Sequence, residues 1–174
     1  TTGMPAADTP TAIATGASSG VGLYATQALV ARGWHVVMAC RDLGKAGDAI
    51  RRLGIDAAGV TPMHLDLGSL DSVRRFVEGY RRRADALEAL VCNAAVYLPQ
   101  LDQPMRSREG FEISVATNHL GHFLLANLML DGIYTEDMRQ PQTEEEGVPT
   151  KTRKPVYAVR GKVTLDGKPI DNAL

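Results

Sequence analysis

Apolar and polar positions along the first 130 residues fall into two alternating patterns. Short continuous apolar runs predict buried parallel strands at Thr11–Thr15, Trp34–Ala39, Val60–Leu65 and Ala89–Cys92, the third interrupted early by Pro62. Between them lie stretches with helical spacing. Val21–Ala31 carries Leu23, Ala25, Ala28 and Leu29 and stops at Gly33; Leu43–Leu53 stops at Gly54. Ser69 is placed to cap a helix over Leu70–Arg83, where Leu70, Val73, Phe76, Val77 and Tyr80 form one stripe. Arg74, Arg75, Arg81, Arg82 and Arg83 then form its solvated face. Gly110–Leu130 reads as a long helix, apolar on more than one side and so largely buried. Strands that alternate with helices imply βαβ units and a parallel sheet, an α/β fold.

The pattern stops near Leu130. Residues 1–130 hold 11 Arg, 1 Lys and 20 Ala; residues 131–174 hold 3 Arg, 4 Lys and 2 Ala, with 4 of the 9 prolines. Three segments follow: an N-terminal extension (1–10), a nucleotide-binding domain (11–130) and an unrelated tail (131–174). In the tail, 131–150 reads as a polar linker containing Glu144, Glu145 and Glu146. Val156–Val159 and Lys162–Leu165 are strand-like, and Asp166-Gly167 predicts a hairpin turn. The run from Val156 to Ile170 is similar to the opening of small β-sandwich modules of bacterial surface proteins.

Composition narrows the classes. With 174 residues, 44% hydrophobic, 22% charged and a net charge of −1, the chain fits an ordinary globular protein and not a general nucleic-acid binder. No apolar run approaches the ~20 residues of a membrane span, and no basic-then-apolar leader opens the chain. Cys40 and Cys92 are too few and too far apart for a disulfide scaffold or metal knuckle. Each ends an apolar run and reads as a buried free thiol, pointing to a reducing compartment. His119 and His122 stand at i and i+3, but no acidic or cysteine partner has metal-ligand spacing, so packing or surface roles are expected and no metal.

Chemistry enters at the first strand–helix junction. Thr15-Gly16-Ala17-Ser18-Ser19-Gly20-Val21-Gly22 sits where a dinucleotide pyrophosphate is held: Gly16 allows a tight turn, Gly20 a close phosphate approach, Gly22 close packing. The fold expected is therefore a Rossmann-like, doubly wound parallel sheet. At the end of the second strand, Arg41 and Lys45 form a cation pair suited to the 2′-phosphate of NADPH. Asp42 opens the alternative that either cation is spent in a surface ion pair.

Thr15–Gly22 as TGxxxGxG, Asp66 in His64-Leu65-Asp66-Leu67, Asn93-Ala94-Ala95 and Asn118 match the short-chain dehydrogenase/reductase superfamily in order and spacing. Gly16–Thr26, Gly33–Arg41, Ala89–Tyr97 and Val115–Leu125 resemble its light-dependent protochlorophyllide oxidoreductases over residues 10–130. That resemblance implies NADPH as cofactor and light-driven reduction of protochlorophyllide to chlorophyllide. It implies that Gly16, Ser18, Ser19, Gly20, Val21 and Gly22 cradle the pyrophosphate and that Arg41 and Lys45 take the 2′-phosphate. Asp66 and Leu67 would meet the adenine, and Asn93 and Ala94 the ribose nearest the nicotinamide. Asn118 would hold a water in the proton path; otherwise it is a satisfied core amide. Tyr97 is the candidate nearest a substrate, the alternative being a partly exposed loop tyrosine. A cytoplasmic location, peripheral to photosynthetic membranes, and an oligomer are compatible with the family.

The family's Tyr-x-x-x-Lys and the fifth strand before it are not found, so the sheet is expected to be truncated there, with an irregular or β-hairpin tail. Tyr134 is followed at that spacing by Met138, and Tyr157 by Gly161. Lys162 comes five after Tyr157, which in a strand puts the two on opposite faces. An ordinary short-chain reductase of small carbonyls and a non-catalytic NADPH-binding fragment remain the alternatives.

Overall fold

The computed structural model describes residues 9–83, 86–98, 103–134, 164–165 and 168–169. The chain divides into two compact units, Thr1–Gln140 and Pro141–Leu174. In the first, β1 (Thr11–Thr15), β2 (His35–Cys40), β3 (Val60–His64) and β4 (Ala89–Val91) form one parallel sheet in the order β3-β2-β1-β4. Helices α1 (Gly20–Val30), α2 (Leu43–Leu53) and α3 (Leu70–Arg81) connect successive strands. After β4 come α4 (Ile113–Val115), a π-helical turn (Ala116–Leu120) and α5 (Gly121–Tyr134). The doubly wound α/β fold is the one expected.

Every residue of β1 and β2 is buried, which accounts for their continuous apolar character. Two cores form. One joins Leu23, Ala46 and Ala49 of α1 and α2 to Ala14, Val36 and Met38 of the sheet. The other joins Phe76, Val77 and Tyr80 of α3 and Leu125 and Met129 of α5 to Ile13 and Val37. Pro62 is accommodated because β3 is an edge strand among the described residues, a place where proline is tolerated. The exposed arginines of α3 form the expected solvated face: Arg75 pairs with Asp71 one turn back, and Arg81 donates to the Leu128 carbonyl at 2.6 Å.

Five details depart from the sequence pattern. Trp34 is outside β2, because its N–H bonds back to the Leu29 carbonyl as α1 unwinds. Arg82 and Arg83 lie beyond α3, where the Arg83 N–H closes a turn on Tyr80. The long helix starts at Ile113 and not Gly110, because the Glu112 carboxylate caps it through the Ser114 and Val115 N–H groups. It is also only partly buried: Leu125 and Met129 face α3, whereas Val115, Phe123 and Leu130 are exposed. Cys92 is exposed rather than buried, because β4 has a neighbour on one side only among the described residues. Cys40 is buried as expected.

In the second unit, β5 (Thr164–Leu165) and β6 (Lys168–Pro169) pair antiparallel on either side of Asp166-Gly167, where a hairpin was expected. The linker expected over 131–150 begins later, because α5 continues to Tyr134; its remainder and the strand predicted over Val156–Val159 lie outside the described residues.

Candidate cofactor site

Strand order reverses between β1 and β4: β2 and β3 are laid down on one side of β1, and the chain then crosses to the other. Ligands of such sheets bind outside the carboxyl ends of the strands at that reversal. A cavity of about 400 Å³ opens there, within the ~300–1,000 Å³ usual for small-molecule sites.

One wall is the β1–α1 turn. Gly16 has φ 64°, and a Cβ on it would lie 2.8 Å from Ala94 Cα. A Cβ on Gly22 would lie 2.5 Å from Asn93 Nδ2 and 2.6 Å from the Gly16 carbonyl oxygen. The two glycines therefore let this turn press against the turn that follows β4. Helix α1 starts with no side-chain cap, Ser19 making no such bond. By contrast, Asp42 caps α2 through the Lys45 N–H at 2.9 Å, and Ser69 caps α3 through the Ser72 N–H at 3.3 Å. Of the helix starts at the cavity, that of α1 is thus the one whose N–H groups keep their capacity for an anion.

The cap on α2 also decides the role of Asp42. Its Oδ1 is used on the Lys45 backbone, and the ion pairs among the described residues are Asp48–Arg51 and Asp71–Arg75. Arg41 and Lys45 are both exposed, line the cavity and form no ion pair there. Two unneutralised cations fit a phosphate dianion.

At the far end, the Asp66 N–H donates to Ser72 Oγ and its Oδ1 accepts from the Gly68 N–H, both at 3.0 Å. This local turn holds the carboxylate at the cavity edge beside buried Leu65 and Leu67. A second, more open hollow of about 510 Å³ shares Arg41, Asp66 and Val96 with the first. The loop along it is tied to α3 by Glu109, whose carboxylate accepts from the Leu70 N–H at 2.9 Å.

The opposite wall is the turn after β4. Asn93 Nδ2 donates to the Thr15 carbonyl at 3.0 Å, and the Asn93 and Ala94 N–H groups donate to Thr15 Oγ1 at 2.9 and 3.0 Å. The turn is held again two residues later. Asn118 accepts from the Val96 N–H at 2.8 Å and donates to the Val96 carbonyl at 2.9 Å. Asn118 is exposed and sits in the π-helical turn, so it is not a core amide. Both ends of its side chain are engaged by backbone, and the group does not line the cavity.

Ten of the twelve residues expected to meet the cofactor line this one cavity: Gly16, Ser18, Ser19, Val21, Arg41, Lys45, Asp66, Leu67, Asn93 and Ala94. Gly20 and Gly22 do not; Gly20 starts α1 with open space where a side chain would stand, and Gly22 is buried behind the turn. Tyr97 is 84% exposed and lines neither hollow. Cys40, Leu65, Ala95, Val96 and Thr117 line the cavity without having been expected there. Burial and the nearby Asp42 charge push the Cys40 thiol up to about 11, so it acts as an unreactive wall. Thr117 carried a signal only in its place beside Asn118. No cluster of metal-ligating side chains exists among the described residues.

Residues 10–139 match the family model for short chain dehydrogenases. Over 133 residues the chain is 56% identical to "Protochlorophyllide reductase, chloroplastic" of Chlamydomonas reinhardtii, covering 76% of this chain and 34% of that protein. It is 57% identical over 126 residues to "Protochlorophyllide reductase A, chloroplastic" of Oryza sativa subsp. japonica, covering 72% and 33%. The chain thus spans about a third of the length of these relatives. Among solved structures, an alcohol dehydrogenase from the archaeon Thermococcus sibiricus complexed with 5-hydroxy-NADP is similar with a TM-score of 0.59 and 26% identity, over 72% of this chain and 54% of that one. A metagenomic short-chain oxidoreductase in complex with NADP gives a TM-score of 0.58 and 26% identity, over 71% and 57%.

Proposed function

Because the chain belongs to the short-chain dehydrogenase family, we propose that it forms the NADPH-holding half of a light-driven reductase that converts protochlorophyllide to chlorophyllide. The observation that carries this reading is the cavity itself: an uncapped helix start and two unneutralised cations, Arg41 and Lys45, share one hollow. The identity of more than half to reductases of that name supports protochlorophyllide as the substrate.

The uncapped N-terminus of α1, with Ser18 and Ser19, holds the pyrophosphate, since backbone N–H groups there have no competing acceptor. Arg41 and Lys45 hold the 2′-phosphate and so select NADPH over NADH. The free edge of Asp66 and the buried Leu67 orient the adenine. Asn93 and Ala94, fastened to β1, fix the ribose next to the nicotinamide. Asn118 steadies that same turn through Val96. NADPH when bound supplies the hydride, and absorption of light by the pigment permits its transfer.

The relatives named above are chloroplastic, and no helix among the described residues is long and apolar enough to cross a membrane. Both fit a place beside, not within, photosynthetic membranes.

Illuminating the chain with NADPH and protochlorophyllide, and following the absorption band of chlorophyllide, tests the reaction. A band that forms in the light and not in the dark is expected of the assembled activity. Reduction of a small carbonyl in the dark, with no light-dependent band, would instead make this an ordinary short-chain reductase.

A further inference from the structure

The turn that follows β4 depends on one hydroxyl. Thr15 is fully buried, and its Oγ1 lies within hydrogen-bond distance of four groups. These are the Asn93 N–H at 2.9 Å, the Ala94 N–H at 3.0 Å, His122 Nε2 at 2.9 Å and the Val91 carbonyl at 3.3 Å. A hydroxyl has one proton and two lone pairs. The two amides can only donate, so they fill both lone pairs. The proton must then go to an acceptor, and His122 Nε2 is nearer than the Val91 oxygen. That assigns the ring as well: Nε2 carries no proton, and Nδ1–H donates to the Asn118 carbonyl at 3.2 Å. The ring is buried, and it links β1 to the π-helical turn, i and i+4 along one helix face.

We propose that His122 is a positioning residue for the cofactor: its neutral imidazole takes the proton of Thr15, which leaves both lone pairs of that oxygen to hold the Asn93 and Ala94 amides at the cavity wall. This rests on the cofactor reading above. Protonating the ring at Nε2 would put a donor against a hydroxyl that already accepts twice. Thr15 would then have to turn its proton to Val91 and give up an amide, and the turn would loosen.

The surroundings favour the neutral ring. Its hydrogen-bond partners, Thr15 of β1 and Asn118 of the π-helical turn, are both uncharged, and His119 of the same turn is exposed. Burial lowers the His122 pKa, the Asn118 carbonyl partly opposing, and no charged group contributes. An unfolded or loosened chain takes up the proton at the ordinary histidine value, and the closed one resists until a lower pH. The closed arrangement is therefore lost as pH falls through that window, not as it rises.

Titrating the chain and its His122→Gln and His122→Phe variants with NADP+ between pH 5 and 8 tests the proposal; amide exchange at Ala94, without cofactor, gives a second reading. Gln presents an acceptor at the same depth and does not titrate; Phe fills the space without an acceptor. At neutral pH, His122→Phe is expected to weaken NADP+ about fivefold and to speed Ala94 exchange, while His122→Gln restores most of both. On acidification the chain should lose affinity more steeply than His122→Gln, beyond the loss both share from protonation of the 2′-phosphate. Equal affinity and exchange in His122→Phe and the unaltered chain would overturn the proposal, as would parallel pH profiles for the chain and His122→Gln. Absence of NADP+ binding in every protein would overturn the cofactor reading instead, and Ala94 exchange would still decide the role of His122.

Discussion

Along the β1–α1 turn, the cavity wall is backbone from which side chains have been removed. Across the hollow, after β4, the wall is backbone held in place by side chains from elsewhere: Thr15 on β1, Asn118 in the π-helical turn and His122 on α5. The first wall works by exclusion, since a Cβ at Gly16 or Gly22 would strike the opposite turn at under 3 Å. The second works by pairing the backbone polar groups of a turn with specific side-chain partners. One wall should therefore fail when an atom is added, and the other when a hydrogen-bonding atom is taken away.

The largest effect is expected from Gly22→Ala. The added Cβ meets Asn93 Nδ2 and the Gly16 carbonyl, neither of which can yield without moving a turn. Loss of measurable NADPH binding should accompany a stability loss of ~1–3 kcal/mol, read as a lower denaturation midpoint. Wild-type binding in this variant would mean that the two turns do not press together.

Asn118→Leu comes next. It removes both bonds to Val96 while leaving the helix face filled, and should cost about 1–2 kcal/mol. Hydrogen exchange at the Val96 amide should speed up, and NADPH should bind more weakly. A side chain that only held a water would leave that amide unaffected.

The smallest effect contrasts the two thiols. Cys40 is 3% exposed and its thiol is pushed up to about 11, whereas Cys92 is exposed. Iodoacetamide at pH 8 should label one thiol per folded chain, Cys92. Labelling of Cys40 at the same rate would show that the end of β2 opens freely.

The first wall was readable because its rule is local. Glycines at 16, 20 and 22, between an apolar strand and a helical stretch, state their purpose within eight residues. Arg41 and Lys45 were equally legible, but Asp42 left their freedom open; only the cap it makes on α2 resolved that. The second wall was less legible because its bonds span 22 to 107 positions. In sequence, Thr15 reads as part of a glycine motif, and His122 as packing or surface. Yet a histidine four residues after Asn118, in a helix otherwise apolar there, was a signal that the pair shares a face. The exposure of Cys92 was hidden for a different reason: an apolar run implies cover on all sides, and β4 has one neighbouring strand among the described residues.

This cavity is expected to select NADPH through Arg41 and Lys45, the two cations without an ion pair. Calorimetric titration of the chain and of Arg41→Ala with NADPH and with NADH tests it most directly. The chain should prefer NADPH, and Arg41→Ala should weaken NADPH by about 10- to 100-fold, the loss of one charge-assisted contact, with little change for NADH. Equal affinity of the unaltered chain for the two nucleotides, or an equal loss for both in Arg41→Ala, would contradict it.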